Sequence, residues 1–594
     1  MSVLDDHVYE FDEFRLDADQ RLLVRRGEQL TLTPRVFDTL LYFVQHHNRV
    51  ITKDELMRAI WADSFVEENN LSQNVSTLRR ALGKARYILT VPGSGYRFAA
   101  EVKTIRRAKA ALPIKKAQAR TIAVLPFKPI VEASRDEALE LGMADTLIAR
   151  LSSSGKLIVR PLSSVRRYGG LEQDPQAAGR ELGVESLLDG SLQRSADRIR
   201  LTARLINVED GSSMWAGTFD EKATDVFAVQ DAISERVASA LAVPLSNEER
   251  QRLTNRSTEN LEAYDLYLKG RYHWNKLIST EVRRSIQFFR KAIDIDPTYA
   301  LAYAGIAEAY RSLPISSDVQ PDDSFPLAHA AVAKALEIDD KLADVHATLS
   351  ILNSWYDWDW SGAEREAKRA IELNPNSSEA HRANALLLST LGRQREAIEA
   401  AAQAREFDPL ALLTRTHESL FLYYDGRYEE AREKLVKTLE IESTFWIALL
   451  TLAKIYVRQE LYSDAITELS KARVSSGGNT QTIAWIGYAF ARSGDHKQAR
   501  AILEELVAIS VKRYVPPHNI ALIHNGLGED KAALDWLEQA YSVRDVLLSA
   551  FITVDPSWDR LRETPRLRAI LRGMNLERSD EGSYNVWPSS SRPD

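Results

Sequence analysis

At 594 residues the chain is expected to hold several domains, because a single hydrophobic core stops growing well below that length. Its composition, 44% hydrophobic and 27% charged, is that of an ordinary soluble protein. A formal net charge of −7 excludes nucleic-acid binding along the whole length and leaves only a local basic face for it.

The absence of cysteine excludes disulfides, thiolate metal sites and a cysteine nucleophile. The acidic N-terminus has no apolar h-region, so no signal peptide is expected. No uninterrupted apolar run reaches the roughly 18 residues needed to span a bilayer. The expectation is a cytoplasmic protein with no membrane partner.

In chain order, YEFDEFRLD, RLLVRRGE and QLTLT read as short antiparallel strands, with polar turns at Asp17–Asp19 and Arg26–Gly27. Thr33-Pro34 is a helix start, the hydroxyl as N-cap and proline first in the helix. Phe37, Leu40, Leu41 and Val44 form its apolar stripe. A capping box from Thr52 to Glu55 opens a second helix through Leu56, Ile60 and Trp61. The next helix places Leu71, Val75, Leu78 and Leu82 on one narrow stripe. Gln73, Ser76, Thr77 and Arg80 fall opposite, with Asn74 and Arg79 nearer the edges. Amides, hydroxyls and guanidinium suit base edges and phosphates, whereas an ordinary solvated face carries Glu and Lys. Tyr87–Val91 and Tyr96–Ala99 then read as strands around a Pro92-Gly93-Ser94-Gly95 tip, with Arg97 placed to reach a phosphate or the minor groove.

This order resembles the OmpR/PhoB-type winged-helix DNA-binding domain, carried by LTPRVFDTLLYFVQHHNRVITKDEL, VSTLRRAL and YILTVPGSGYRF and placed at 1–102. The resemblance implies a helix in the major groove and a wing along the backbone or minor groove. By it, the candidate DNA contacts are Gln73, Asn74, Ser76, Thr77, Arg79, Arg80 and Arg97. No phosphoacceptor receiver domain precedes it, so the phospho-aspartate switch is expected to be absent. Ser76 and Thr77 are uncharged, so base preference does not transfer from relatives. Regulators of the CadC and ToxR type carry a membrane helix after this domain. Here the place is taken by a basic linker, 103–120, part of a basic stretch running from Arg79 to Arg120.

From Thr121 the pattern changes to a small α/β domain, 121–245. TIAVLPF reads as a buried strand. A helix through Leu139–Leu151, a strand near Leu157–Arg160, a helix through Pro175–Leu182, three strands and a helix through Val226–Leu241 follow. Ile199, Leu201, Ala203 and Leu205 alternate with polar residues, and Asp210-Gly211 marks a hairpin. The segment resembles the N-terminal domain of TolB and FlgO-like proteins, which implies a fold and an interaction role but no reaction. Asp189 and Asp210, both before glycine, are read as turn residues rather than acid catalysts.

Beyond Leu261 the chain repeats. Ala363, Ala397, Ala431, Ala465 and Ala499 are 34 residues apart, and Ala532 follows one short. Gly392, Gly426, Gly494 and Gly528 keep the phase, Glu460 replaces glycine once, and Pro297, Pro375 and Pro409 close helices. This is the tetratricopeptide (TPR) pattern: alanines allow close helix approach, glycine ends the first helix and proline the second. About eight repeats are expected over 262–545, with an insertion near Leu313–Pro326, a capping helix at 546–578 and a disordered tail at 579–594. Trp355, Trp358, Trp360, Trp446, Trp485 and Tyr488 either line a partner groove or pack helices together.

No phosphate loop, HExxH, GxSxG or EF-hand spacing occurs. His46-His47 is read as a contact to a helix C-terminus. No catalytic residue, cofactor or metal site is therefore assigned, and the chain is not expected to be an enzyme. The fold class expected is multidomain and mainly α: an α+β winged helix, a small α/β domain and an all-α TPR superhelix. The function expected is a sequence-specific, one-component DNA-binding transcriptional regulator. Its partners would be double-stranded promoter DNA and a protein or peptide in the TPR groove, and pairing into a dimer on DNA is compatible with it. The alternative is a TPR scaffold whose winged helix no longer reads DNA.

Overall fold

The computed structural model describes the chain except residues 1–6, 18–21, 26–27, 31, 33, 48, 61–67, 84–86, 101, 107–119, 130–134, 153–155, 171–173, 196–197, 223–225, 242–256, 275–278, 317–318, 579–583 and 587–594. It divides into two compact units, Met1–Gln118 and Ala119–Asp594. The protein is multidomain and mainly α, as expected.

The first unit runs β1 (His7–Phe11), β2 (Phe14–Asp17), β3 (Leu22–Arg25), β4 (Glu28–Leu30), α1 (Pro34–Gln45), β5 (Val50–Ile51), α2 (Lys53–Ile60), α3 (Glu68–Ala81), β6 (Ile88–Val91), β7 (Gly95–Phe98) and β8 (Lys103–Arg106). One sheet has the order β4-β3-β2-β1-β8, the other β5-β7-β6. YEFDEFRLD, expected as one strand, breaks at Asp12, which takes a φ of +51° and turns β1 into β2. The first residues of the expected linker form β8 against β1, with Val8 opposite Ile105. They satisfy backbone groups that β1 would otherwise leave open.

On α1 the buried stripe is Val36, Phe37, Leu40, Phe43 and Val44, with Leu41 half-buried at its margin. Thr33 and Trp61 lie outside the described residues. One arm of the expected capping box forms, Thr52 Oγ1 accepting the Glu55 N–H at 3.2 Å. The Glu55 carboxylate instead takes Arg49 Nη1 at 2.9 Å and the Tyr42 hydroxyl at 2.9 Å. Those hydrogen bonds, Arg49's foremost, hold it at about 2.

The second unit opens with an α/β segment. Its elements are β9 (Arg120–Val124), β10 (Lys128–Pro129), α4 (Glu137–Ser152), β11 (Leu157–Val159), α5 (Leu162–Val165), α6 (Pro175–Glu181), β12 (Ser186–Ser195), β13 (Arg198–Asn207), β14 (Ser213–Lys222) and α7 (Val226–Ala240). The sheet order is β11-β9-β12-β13-β14, parallel on one side of β12 and antiparallel on the other. β9 has a strand on either side, β11 and β12, and its Ile122–Val124 run is continuously apolar and buried. Gly211, with φ +73°, makes the expected hairpin turn. Asp189 is not a turn residue: it lies inside β12, 5% exposed, and accepts from Arg204 Nη2 at 2.9 Å.

Helices from Leu261–Trp274 to Asp530–Ser542 form eight antiparallel pairs among the described residues. First helices start at Ser378, Leu412, Trp446 and Thr480, in 34-residue steps. Ala363, Ala397, Ala431, Ala465 and Ala499 are fully buried, and Ala533, not the half-buried Ala532, continues their phase. Gly392, Gly426, Gly494 and Gly528 take φ between +78° and +88°, and Glu460 adopts the same left-handed turn at +63°. The expected insertion is taken up by lengthening, as helices Ala300–Ser316 and Pro321–Ile338 have 17 and 18 residues where the regular pair at Ser378 has 13 and 14.

The C-terminal segment does more than cap the last repeat. It packs back on residues 355–360: Ser549 Oγ donates to the Trp355 carbonyl at 2.7 Å, and Trp360 Nε1 donates to the Met574 carbonyl at 2.7 Å. Trp355, Trp358, Trp360, Trp485 and Tyr488 are accordingly packing residues, each at most 8% exposed. Tyr584–Val586, inside the tail expected to be disordered, pairs with Leu576–Arg578.

The α/β segment is fixed to the array. Arg160, 6% exposed, spans from the Leu182 carbonyl at 2.9 Å to the Phe407 carbonyl at 2.9 Å. A guanidinium there meets the partial negative end of helix Gln394–Phe407. Ser163 Oγ donates to the buried Asp408 at 2.6 Å.

Candidate nucleic-acid interface

α3 is long enough for one face to be core and another to be solvent. Leu71, Val75, Leu78 and Leu82 are at most 1% exposed. Arg79 and Arg80 occupy the last turn, where cations suit the helix dipole, and Gly83, φ +71°, closes the helix. Gln73, Ser76, Thr77 and Arg80 are all exposed on the opposite face, as expected. Ser72 is exposed beside them, a position the sequence pattern did not single out.

The two edge residues are engaged within the domain. Asn74 Nδ2 donates to the Arg35 carbonyl at 3.3 Å and to Thr39 Oγ1 at 3.1 Å, tying α3 to α1. Arg79 donates through Nε and Nη2 to the Ile88 carbonyl at 3.0 and 2.7 Å, and through Nη2 to Thr90 Oγ1 at 2.8 Å. Among the described residues β6 is an edge strand of its sheet, so this fork satisfies an acceptor on its open side and sets the wing's position relative to α3. Their places on the helical wheel showed that these residues border the polar face. They did not show which neighbour each would meet.

The wing tip turns through Gly93, φ +73°. At Gly95 the φ is +138°, and a Cβ would lie 2.1 Å from the Ile51 carbonyl oxygen. Glycine there serves the close approach of β5 as well as the turn. Arg97 is exposed on the middle strand β7, opposite Val50 and Leu89, rather than at the tip. Of the basic stretch, Lys103 is exposed in β8, while Arg120 belongs to the second unit and donates to the Leu241 carbonyl. Lys84, Arg86, Arg107, Lys109, Lys115 and Lys116 lie outside the described residues. The ring Nδ1 atoms of His46 and His47 face the Tyr42 and Val44 carbonyls at 2.9 and 2.8 Å, the helix-end contact expected of them.

An exposed amide, two hydroxyls and a guanidinium on one rigid helix, with a glycine-tipped hairpin held to it, form a surface able to hydrogen-bond base edges and phosphates. Residues 27–98 match the family model "Transcriptional regulatory protein, C terminal". This is a winged helix of the transcriptional-regulator type. The chain is 20% identical to the transcriptional regulator HilA of Salmonella typhi over 71% of this chain and 74% of that protein. It is 41% identical to the transcriptional activator CadC of Escherichia coli K12 over 12% and 15%. It is also 32% identical to a protein named putative adenylate cyclase 3 of Rhizobium meliloti, over 40% of each chain. It therefore spans under half of that last relative and about three quarters of HilA. Among the described residues no helix is long and apolar enough to cross a membrane.

Proposed function

We propose that this protein is a one-component transcriptional regulator acting in the cytoplasm. It binds double-stranded promoter DNA through α3 and the wing, and its TPR region binds or senses a partner. The observation that carries the reading is the exposed Gln73, Ser76, Thr77 and Arg80 face inside the segment matched by the regulator family model. These four are the base-reading candidates, and Arg97 is the backbone contact. Asn74 and Arg79 border the same surface, and we assign them to holding its shape. The proposed partition is a winged helix over 1–102 extended by β8, an α/β domain over 121–245, TPR repeats over 262–545 and a cap over 546–578. The names of HilA and CadC as transcriptional regulators support this reading.

The test is a genome-wide DNA pull-down with the full chain, wild type beside Thr77→Ala/Arg80→Ala, repeated from about 50 to 200 mM salt. A regulator yields a reproducible set of sites, lost in the variant and weakening steeply with salt. A scaffold yields neither, and that outcome would replace the proposal. Because one relative is named a putative adenylate cyclase, the same preparation is incubated with ATP and Mg²⁺. Cyclic nucleotide formation would add a catalytic function to the regulator.

A further inference from the structure

The α/β segment and the inner helices of the array line a half-open cavity of about 1120 Å³, slightly above the usual size of small-molecule sites. Its lining includes Arg271, Arg311, Arg382 and His417, each from the first helix of a repeat. Their pairing is unequal. Arg382 is held by Glu379, Nε to Oε2 at 2.9 Å. Arg271 lies 3.4 Å from Asp145 and 3.2 Å from Glu308. Arg311 is 8% exposed, and its contact with an acid is Glu379 at 3.8 Å, a carboxylate already committed to Arg382.

Among the described residues Arg311 Nε has no hydrogen-bond partner, and neither do Trp274 Nε1, His417 Nδ1 and the Tyr424 hydroxyl, all buried along the same cavity. Burial lowers the pKa of His417, and the charges of Arg382 and Arg311 beside it help to do so. Burial pushes the Glu308 carboxyl up to about 7 despite Arg271. At 8% exposure a guanidinium left short of acceptors is disfavoured. Arginine and indole nitrogens can only donate, so what completes them must supply acceptors. Asp145, Glu308, Asp344 and Glu379 already face the three guanidiniums, and burial raises Glu308 and Asp344 toward their neutral forms.

We propose that this cavity binds a small oxyanion, a carboxylate or a phosphate, with Arg311 as its anchor and His417 as a second contact. The site stands whether or not the first unit reads promoter DNA, and its test reads binding alone.

Isothermal titration calorimetry on the full chain uses inorganic phosphate and citrate as separate probes, with sodium chloride at matched ionic strength. One of them is expected to bind once per chain, and which one does so assigns the phosphate or the carboxylate class. Arg311→Met should weaken it at least about tenfold, the loss of one charge-assisted hydrogen bond. This variant should fold, because Glu379 keeps Arg382. His417→Phe, which keeps a ring and removes its nitrogens, should also weaken binding, and Arg198→Ala at an exposed strand should not. Absence of binding by either probe, or equal binding by wild type, Arg311→Met and His417→Phe, would overturn the proposal and leave a water-filled cavity.

Discussion

Arg79 and Arg80 are adjacent in sequence and both cationic, yet the structure gives them opposite duties. Arg79→Ala removes a forked pair of hydrogen bonds to the Ile88 carbonyl and one to Thr90 Oγ1. Charge-assisted bonds contribute about 1.5–3 kcal/mol when buried. This guanidinium is only half-buried, so the three together are set at about 2 kcal/mol. The loss falls on the contact between α3 and the wing, so it should open the hairpin locally before it unfolds the domain.

Two kcal/mol corresponds to roughly thirty-fold in a local opening equilibrium. Hydrogen exchange of the full chain, read by mass spectrometry on peptides covering 87–99, should quicken by about that factor in Arg79→Ala. Exchange in Arg80→Ala should stay near wild type, because surface substitutions are usually worth less than about 0.5 kcal/mol. DNA binding should show the reverse emphasis. Arg80→Ala should lose about 1–3 kcal/mol at a preferred site with relaxed preference at one position. Wing peptides of Arg79→Ala exchanging at the wild-type rate would refute the reasoning.

Arg97→Ala should weaken binding to all sequences alike and lower the salt slope by about one, measured by titration on specific and random duplexes. Glu460→Gly should stabilise the array. Relief of the left-handed strain, roughly 1–2 kcal/mol, exceeds the roughly 0.4–1 kcal/mol of added chain entropy in the unfolded state, and urea unfolding should show a net gain of about 0.5–1 kcal/mol. His518 is buried near Trp558, with Asp555 and Lys454 as the charged groups facing it, and burial pushes its ring down to about 3. The unfolded chain takes up this proton first, so the contribution to stability is complete above about pH 6.5 and is lost as pH falls toward 3. His518→Phe should flatten the fall of stability between pH 6.5 and 4.5 by up to about 1.4 kcal/mol per unit, measured by urea unfolding at each pH.

The sequence by itself determined whatever follows from periodicity and local stereochemistry. The α3 stripe, the wing turn at Gly93 and the 34-residue register of the helix pairs are set by residues a few positions apart, so spacing reveals them. The Glu460 turn was legible for the same reason, since phase alone marks where the left-handed residue must sit. Asp189 misled because a carboxylate before glycine suits a turn locally, while its partner Arg204 lies on the neighbouring strand. Only the tertiary structure decided that Asn74 and Arg79 serve the domain's own backbone, and that Lys103–Arg106 completes a sheet. The same holds for the return of the C-terminal segment onto residues 355–360 and for a cavity that leaves Arg311 short of acceptors. Each depends on which groups arrive at one point from distant parts of the chain, and a burial pattern records that a face is covered without recording by what.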